Sequence, residues 1–335
     1  MFTKPLILAI ETSCDDTSAA VISGGRMLSN VVHTQSLHRK YGGVVPELAS
    51  RAHQAKIIPT IEEALNVAGV ERKQLDAIAF TRGPGLLGSL LVGVTTAKAL
   101  AMALTIPLIE VHHMQAHVLA HFIDQPHPAT PFICLTVSGG HTQIILVKSP
   151  YDLEILGQTI DDAAGEAFDK AGKMLGLDYP AGPELDRLAK KGSARFEFNK
   201  PEMPDFDFSF SGLKTSILYK LRKWVKEDPD FISNNLEDLC ASVQRSIVDI
   251  LLDKVITAAR SHKISEIAIA GGVSANSELR HRLKLKCQSE NWKCHIPKFE
   301  YCTDNAGMIA MAAHYKYLKG DFSDHSVSPA ARLEF

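Results

Sequence analysis

The chain has 335 residues, 45% of them apolar and 22% charged; that is long enough for two domains with separate cores, and it excludes a disordered or low-complexity chain. The formal charge, 36 − 38 = −2, supplies no global basic field, so any nucleic acid must meet a local patch. Six cysteines without a CxxC pair, a start (Met1-Phe2-Thr3-Lys4-Pro5) that runs straight into a strand, and no uninterrupted apolar stretch of bilayer length together lead us to expect a cytoplasmic protein without a signal peptide.

Leu6 to Ile10 reads as a buried strand, ended by the polar turn Glu11-Thr12-Ser13-Cys14-Asp15-Asp16-Thr17-Ser18. Strands at Ala19–Ile22 and Met27–His33 follow. Bare carboxylates would repel a phosphate, so those of the turn either act through a cation or on a polar ligand group, or form a solvated acidic turn. An amphipathic helix is expected from Pro46, a strand at Asp76–Thr81, and a long Ala/Leu/Val helix after Arg82-Gly83-Pro84-Gly85, to about Leu104. Gly-Pro-Gly lacks the spacing and lysine of a P-loop, which favours tight packing over phosphate binding.

Pro107 to Val111 is a strand leading into His112-His113-Met114-Gln115-Ala116-His117. On a helix, residues 113 and 117 share one face, the spacing of a two-point metal grip; a purely structural pair is the alternative. A His-Glu-x-x-His zinc protease is disfavoured, because Met114 stands where that chemistry needs its base.

Phe132–Val137 and Thr142–Val147 flank Ser138-Gly139-Gly140-His141 and read as a β-hairpin whose outward N–H groups form a concavity for an anion; a plain tight turn is the alternative. This strand–turn–strand unit repeats the one at the start of the chain, which suggests a duplicated domain. Ile155 to Ile160 is a further strand. A helix capped at Asp161 then starts, carrying Asp169 either as a surface charge or as a cleft residue that accepts from ribose hydroxyls. Tyr179 to Asp186 turns into another helix, with Gly182 permitting close backbone approach.

Lys190, Lys191, Arg195, Lys200, Lys214, Lys220, Arg222, Lys223 and Lys226 with nearby aromatics suit either a phosphodiester backbone or a solvated helix face. Leu236 to Arg260 reads as a long helix. Strand 266–270 runs through Gly271-Gly272-Val273-Ser274-Ala275-Asn276, where glycine lets backbone approach a flat ligand and Asn276 offers donor and acceptor. Asp304 is a natural cap for a last helix, Met308 to Leu318, and is also the best-placed carboxylate to join the two histidines.

Taken in this order, Glu11 to Thr17, Gly42-Gly43-Val44-Val45-Pro46-Glu47, His113 to His117, Val137 to Thr142, Gly271 to Asn276 and Cys302-Thr303-Asp304-Asn305 resemble the universal t6A-synthesis family, the TsaD-type tRNA N6-adenosine threonylcarbamoyltransferases once labelled O-sialoglycoprotein endopeptidases. The resemblance covers essentially the whole chain. It implies an α/β, actin/sugar-kinase-like (ASKHA) fold: one ribonuclease-H-like lobe over 1–130, completed by 306–335, and a second over 131–305 with a helical insertion, around a nucleotide cleft.

The same resemblance implies transfer of threonylcarbamoyl from threonylcarbamoyl-AMP to N6 of the adenosine beside the anticodon (position 37) in tRNAs that read codons starting with A. It assigns one divalent metal, iron first and zinc second, to His113, His117 and Asp304. Substrate falls to Thr136, Val137, Ser138, Gly139, Gly140, Asp169, Gly182, Asp186 and Asn276. In archaeal-type members a tyrosine at the position of Thr136 can join the metal; threonine here departs from that pattern. The exocyclic amine is a poor nucleophile, so a Lewis acid must polarise the anhydride carbonyl. The base that removes its proton stays open among Glu11, Asp15 and a metal-held hydroxide. A TsaB-like homologous partner, a TsaE-like P-loop ATPase and an upstream TsaC-type adenylate-forming enzyme are implied, and no membrane. The rival readings are an ATP-dependent kinase or a nucleotide-regulated binding module on the same fold; both leave the histidines idle.

Overall fold

A computed structural model describes residues 4–335. The chain divides into two compact units, one of residues 1–127 and 298–335 and the other of residues 128–297. Residues 298–305, expected in the second lobe, therefore belong to the first unit, and Asp304 with them.

In the first unit β1 (Leu6–Glu11), β2 (Asp16–Ser23) and β3 (Arg26–Thr34) form an antiparallel meander. Next to β1, β4 (Ala77–Gly83) and then β5 (Leu108–His112) are added in parallel, giving the order β3-β2-β1-β4-β5. Near-continuous apolar runs such as Ile7-Leu8-Ala9-Ile10 are buried on both sides, as strands covered on both faces must be. Leu8, Ile10, Ala19 and Val21 pack with Ile57 and Ile61 of α1 (Pro46–Ala68) and Val94 and Ala97 of α2 (Leu87–Leu104). Their alternates, Ile7, Ala9, Ala20 and Ile22, are equally buried, and α10 (Ala306–Lys319) packs on β1 and β2. A short helix α3 (His113–Leu119) also lies against α10.

One expectation needs correcting here. The helix α2 is long and apolar enough, by length and composition, to cross a membrane. Its Leu90, Val94, Ala97 and Ala101 are buried, and it packs against β4 and α1.

The second unit repeats the plan. β6 (Phe132–Val137), β7 (Thr142–Ser149) and β8 (Asp152–Gln158) form the meander, and β9 (Glu266–Ala270) and β10 (Lys293–His295) add in parallel, in the order β10-β9-β6-β7-β8. This is the same strand order as the first sheet, the duplication that the internal repeat suggested and the ribonuclease-H-like plan that the resemblance implied. Ile133, Leu135, Val137 and Ile144 pack with α4 (Ala164–Met174), α5 (Ala181–Ala189), α6 (Ser211–Glu227), α8 (Leu236–His262) and α9 (Ser277–Ser289) in one core; a short α7 (Phe231–Asn234) adds Phe231. The hairpin expected at 138–141 is present, with Val137 opposite Thr142.

Where β9 ends, Gly271 adopts φ +84°, and a Cβ there would collide with the Val137 carbonyl. Glycine is required on both counts. Gly271→Ala is expected to lower the stability of the second unit by roughly 2–4 kcal/mol, read as an earlier loss of its amide protection in hydrogen exchange.

Candidate metal centre and ligand cavity

Strand β5 delivers the first unit's histidines. His112 ends it and caps α3, its Nδ1 accepting from Met114 N at 3.2 Å. His113 opens α3 and His117 follows one turn later, their rings edge-to-face with centroids 4.8 Å apart. Sequence reasoning named Asp304 as a natural cap of the last helix. The structure gives that role to Asn305, whose side chain accepts from Met308 N at 3.0 Å. Asp304 is thereby released, its Oδ1 lying 3.4 Å from His113 Nε2 and 3.3 Å from His117 Nε2. One donor atom from each residue lies within 4.8 Å of the other two, so two imidazoles and a carboxylate could hold a single divalent cation.

Glu11, at the end of β1, is fully buried. It accepts from Ser13 N and from Thr81 Oγ1 at 2.6 Å, and its Oε2 is 3.0 Å from His113 Nδ1. Thr81 reaches it because β4 lies parallel beside β1, with Phe80 opposite Ile10. Both Glu11 oxygens are thus engaged, and the geometry suits a carboxylate that orients the His113 ring, leaving Nε2 toward Asp304. Of the two side chains among the candidate bases, Asp15 is half-buried at the turn, while both oxygens of Glu11 are already engaged.

Electrostatics follow the contacts. Burial works against a charge on His113, but Asp304 and Glu11 outweigh it and push its pKa up to about 10. Burial also opposes the charges of Glu11 and Asp304, and His113 holds both below the usual carboxylate range. His117 goes the other way: burial, aided by the charge on His113, lowers its pKa against the pull of Asp304. Its Nδ1 makes no hydrogen bond and its Nε2 faces the Asp304 oxygen at 3.3 Å, an undersatisfied buried ring of the kind that a metal ion satisfies.

A fifth titratable group stands beside these. Asp16, which sequence reasoning left among the turn carboxylates, has a buried Oδ1 without a partner. Burial first, then Asp304, Asp15 and Glu11, raise its pKa from 3.8 to about 7, against a hydrogen bond with Thr34. The folded state therefore holds this proton more tightly than the unfolded chain does, and stability is lost as pH rises from about 4 through about 7.

In the second unit a cleft of about 300 Å³ is lined by Gly139, Gly165, Phe168, Asp169, Gly182, Asp186, Gly272 and Asn276, among others. Four of its lining residues are glycines, and a Cβ at Gly139, Gly182 or Gly272 would meet nothing within 4 Å. Asp169 Oδ1 accepts from Ala181 N at 2.8 Å and Gly182 N at 3.2 Å, pinning the first turn of α5. Burial raises its pKa despite those two bonds. Asp186 Oδ1 accepts from Ser277 Oγ at 2.7 Å, and its Oδ2 pairs with Lys190 at 3.2 Å.

Asn276 departs from expectation. It lines the cleft, yet its oxygen caps α9 by accepting from Leu279 N at 3.0 Å, and its Nδ2 donates to Gln244 at 2.8 Å. Its carboxamide is engaged within the protein, with Gln244 the partner that sequence reasoning missed. Thr136 and Val137 are fully buried within β6 and do not line the cleft. Ser138 Oγ accepts from His141 N at 3.1 Å and closes the hairpin, while Gly140 is exposed. Of the five hairpin residues named, only Gly139 reaches the cleft. Asp16→Asn, which removes the ionised form, is expected to stabilise the metal-free protein at pH 8 by on the order of 1–3 kcal/mol and to change little near pH 4; thermal melts across that range check it.

Comparison with known proteins supplies the remaining constraint. A family model described as "TsaD: tRNA N6-adenosine threonylcarbamoyltransferase" matches residues 26–311. Proteins of that name from Riemerella anatipestifer (59% identical, 99% of this chain and 98% of the relative), Phocaeicola vulgatus (60%, 95% and 95%) and Thermosipho africanus (47%, 98% and 99%) align nearly end to end. Among solved structures, T. kodakarensis HypF (TM-score 0.64, 15% identity, 98% of this chain and 50% of that one) is similar in fold. So is component A of Acidaminococcus fermentans (R)-2-hydroxyglutaryl-CoA dehydratase (0.55, 14%, 95% and 98%); these two likenesses bear on the fold alone, which is of the actin/sugar-kinase-like type. By the extent of the family match and the identity to these relatives, the chain belongs to the TsaD family of tRNA N6-adenosine threonylcarbamoyltransferases.

Proposed function

We propose that this chain transfers a threonylcarbamoyl group from threonylcarbamoyl-AMP to N6 of the adenosine beside the anticodon, with a divalent metal held by His113, His117 and Asp304. The transfer forms one C–N bond, breaks the anhydride C–O bond to release AMP, and sheds one proton from the amine. The observation that carries the metal reading is the convergence of His113, His117 and Asp304, with His117 Nδ1 unpartnered and its Nε2 facing Asp304. A bound divalent cation supplies Lewis-acid polarisation of the acyl carbonyl, which a weakly nucleophilic amine needs. Iron(II) is the first choice and zinc the second, since this donor set takes either and no electron is exchanged.

The chain's own groups do the rest. Glu11 holds the His113 ring at Nδ1 and keeps Nε2 free for coordination. The glycine-lined cleft of the second unit admits a flat nucleotide, and Asp169 keeps one carboxylate oxygen for ribose hydroxyls while the other pins α5. A TsaB-like homologous partner, a TsaE-like P-loop ATPase and a TsaC-type enzyme that makes the adenylate complete the pathway on this reading, in the cytoplasm where tRNA is found.

His113→Ala and Asp304→Ala are each expected to reduce bound metal from one per chain to a small fraction and transfer of labelled threonylcarbamoyl to tRNA by at least about 100-fold; near-normal product in a chelator-treated sample would sink the metal role. Gly182→Val, which projects methyl groups into the cleft from a position with free space, is expected to leave the melting temperature nearly unchanged. It should weaken AMP binding by roughly tenfold or more, measured by calorimetry.

A further inference from the structure

The basic stretch between residues 190 and 226 resolves into two populations. Most of its cations are spent inside the unit: Lys214 pairs with Asp162 at 2.7 Å, Arg195 with Asp238 at 2.7 Å, Lys200 with Asp249, and Lys220 donates to the Glu197 carbonyl. Arg222, Lys223 and Lys226 are exposed, and none has an ion-pair or hydrogen-bond partner among the described residues. Tyr219, 64% exposed, precedes them by one helical turn, so positions 219, 222, 223 and 226 share the outer face of α6. The opposite face, Leu213, Ile217 and Leu221, is buried in the core. The outer face presents three uncompensated cations and a ring over about 10 Å of helix.

This face is held firmly to the cleft. Asp161, expected to cap α4, instead accepts from Phe210 N at 2.8 Å and Ser211 Oγ at 2.7 Å, clamping the entry to α6. Asp162 bridges Lys170 of α4 and Lys214 of α6, at 2.8 and 2.7 Å. Since α4 carries Phe168 and Asp169 of the cleft wall, α6 moves with the wall rather than as a loose appendage.

From this geometry we infer that the outer face of α6 is a docking surface for the phosphodiester backbone of tRNA, with Tyr219 against a sugar or an unpaired base. The inference rests on tRNA being the acceptor substrate. A chain of net charge −2 has no general attraction for a polyanion, so a local cluster of unpaired cations is where affinity must arise. A protein partner would also have to be strongly acidic to match three bare cations.

The test measures affinity of the full-length protein for an unmodified tRNA transcript at several salt concentrations. Arg222→Gln/Lys223→Gln/Lys226→Gln should weaken binding at least about tenfold near 150 mM salt and flatten the plot of log K against log salt by roughly 2–3. A charge-conserving triple (Arg222→Lys, Lys223→Arg, Lys226→Arg) should restore both, and Tyr219→Ala should weaken binding several-fold with the slope unchanged. An unaltered affinity and slope in the glutamine triple overturns the inference, as does a wild-type chain with no measurable tRNA affinity at low salt. Failure of the transferase reading would look different: tRNA bound by wild type but not modified when threonylcarbamoyl-AMP and metal are supplied.

Discussion

Burying charge is costly unless each charge faces its opposite, and the first unit is arranged around that constraint. Glu11 and Asp304 come from opposite ends of the chain, and His113 lies between them, with one ring nitrogen toward each. Removing any member would strand the others in a poorly solvated place. The elements that bring them together are the ones that define the unit: β1 carries Glu11, β5 runs into His113, and α10, the return of the chain, has Asp304 two residues before its start. Two carboxylates against one imidazolium leave a residual negative charge beside His117. On the reading proposed above, a divalent cation held by His113, His117 and Asp304 would offset that charge.

The second unit solves a different problem. The polar groups that line the cleft also hold its walls. Asp169 pins α5, Asp186 is tied to Ser277 at the start of α9, and Asn276 caps α9 while bonded to Gln244. The rim is thereby preorganised, and little side-chain entropy remains to be lost when a ligand arrives. The same economy explains why Asn276, which also lines the cleft, spends one N–H on Gln244 and one oxygen lone pair on Leu279 N, keeping a second of each.

Strand and helix positions were legible in the sequence because periodicity reports them. The apolar runs at 6–10 and 132–137, the helix starting at Pro46 and the hairpin at 138–141 depend on neighbours within a few residues. The two histidines were legible for the same reason, since a spacing of four on a helix is a local fact. Order along the chain also carried the family resemblance and, through it, the pairing of these histidines with Asp304, which lies almost two hundred positions away.

The roles of side chains whose partners are distant in sequence were decided only by folding. No local pattern says that Thr81 will donate to Glu11, because that needs β4 to lie beside β1. No pattern says that Asn305 rather than Asp304 caps α10, or that Asp161 clamps the entry to α6 instead of capping α4. Capping propensities differ little among Asp, Asn and Ser, and the three-dimensional neighbours break the tie. Nor could a count of lysines and arginines separate the cations paired within the unit from the three left bare on α6. The sequence alone determined which elements form and which family's motifs they carry; tertiary structure decided which polar atoms are engaged and which are free, because hydrogen bonds and ion pairs act over a few ångströms of space regardless of distance along the chain.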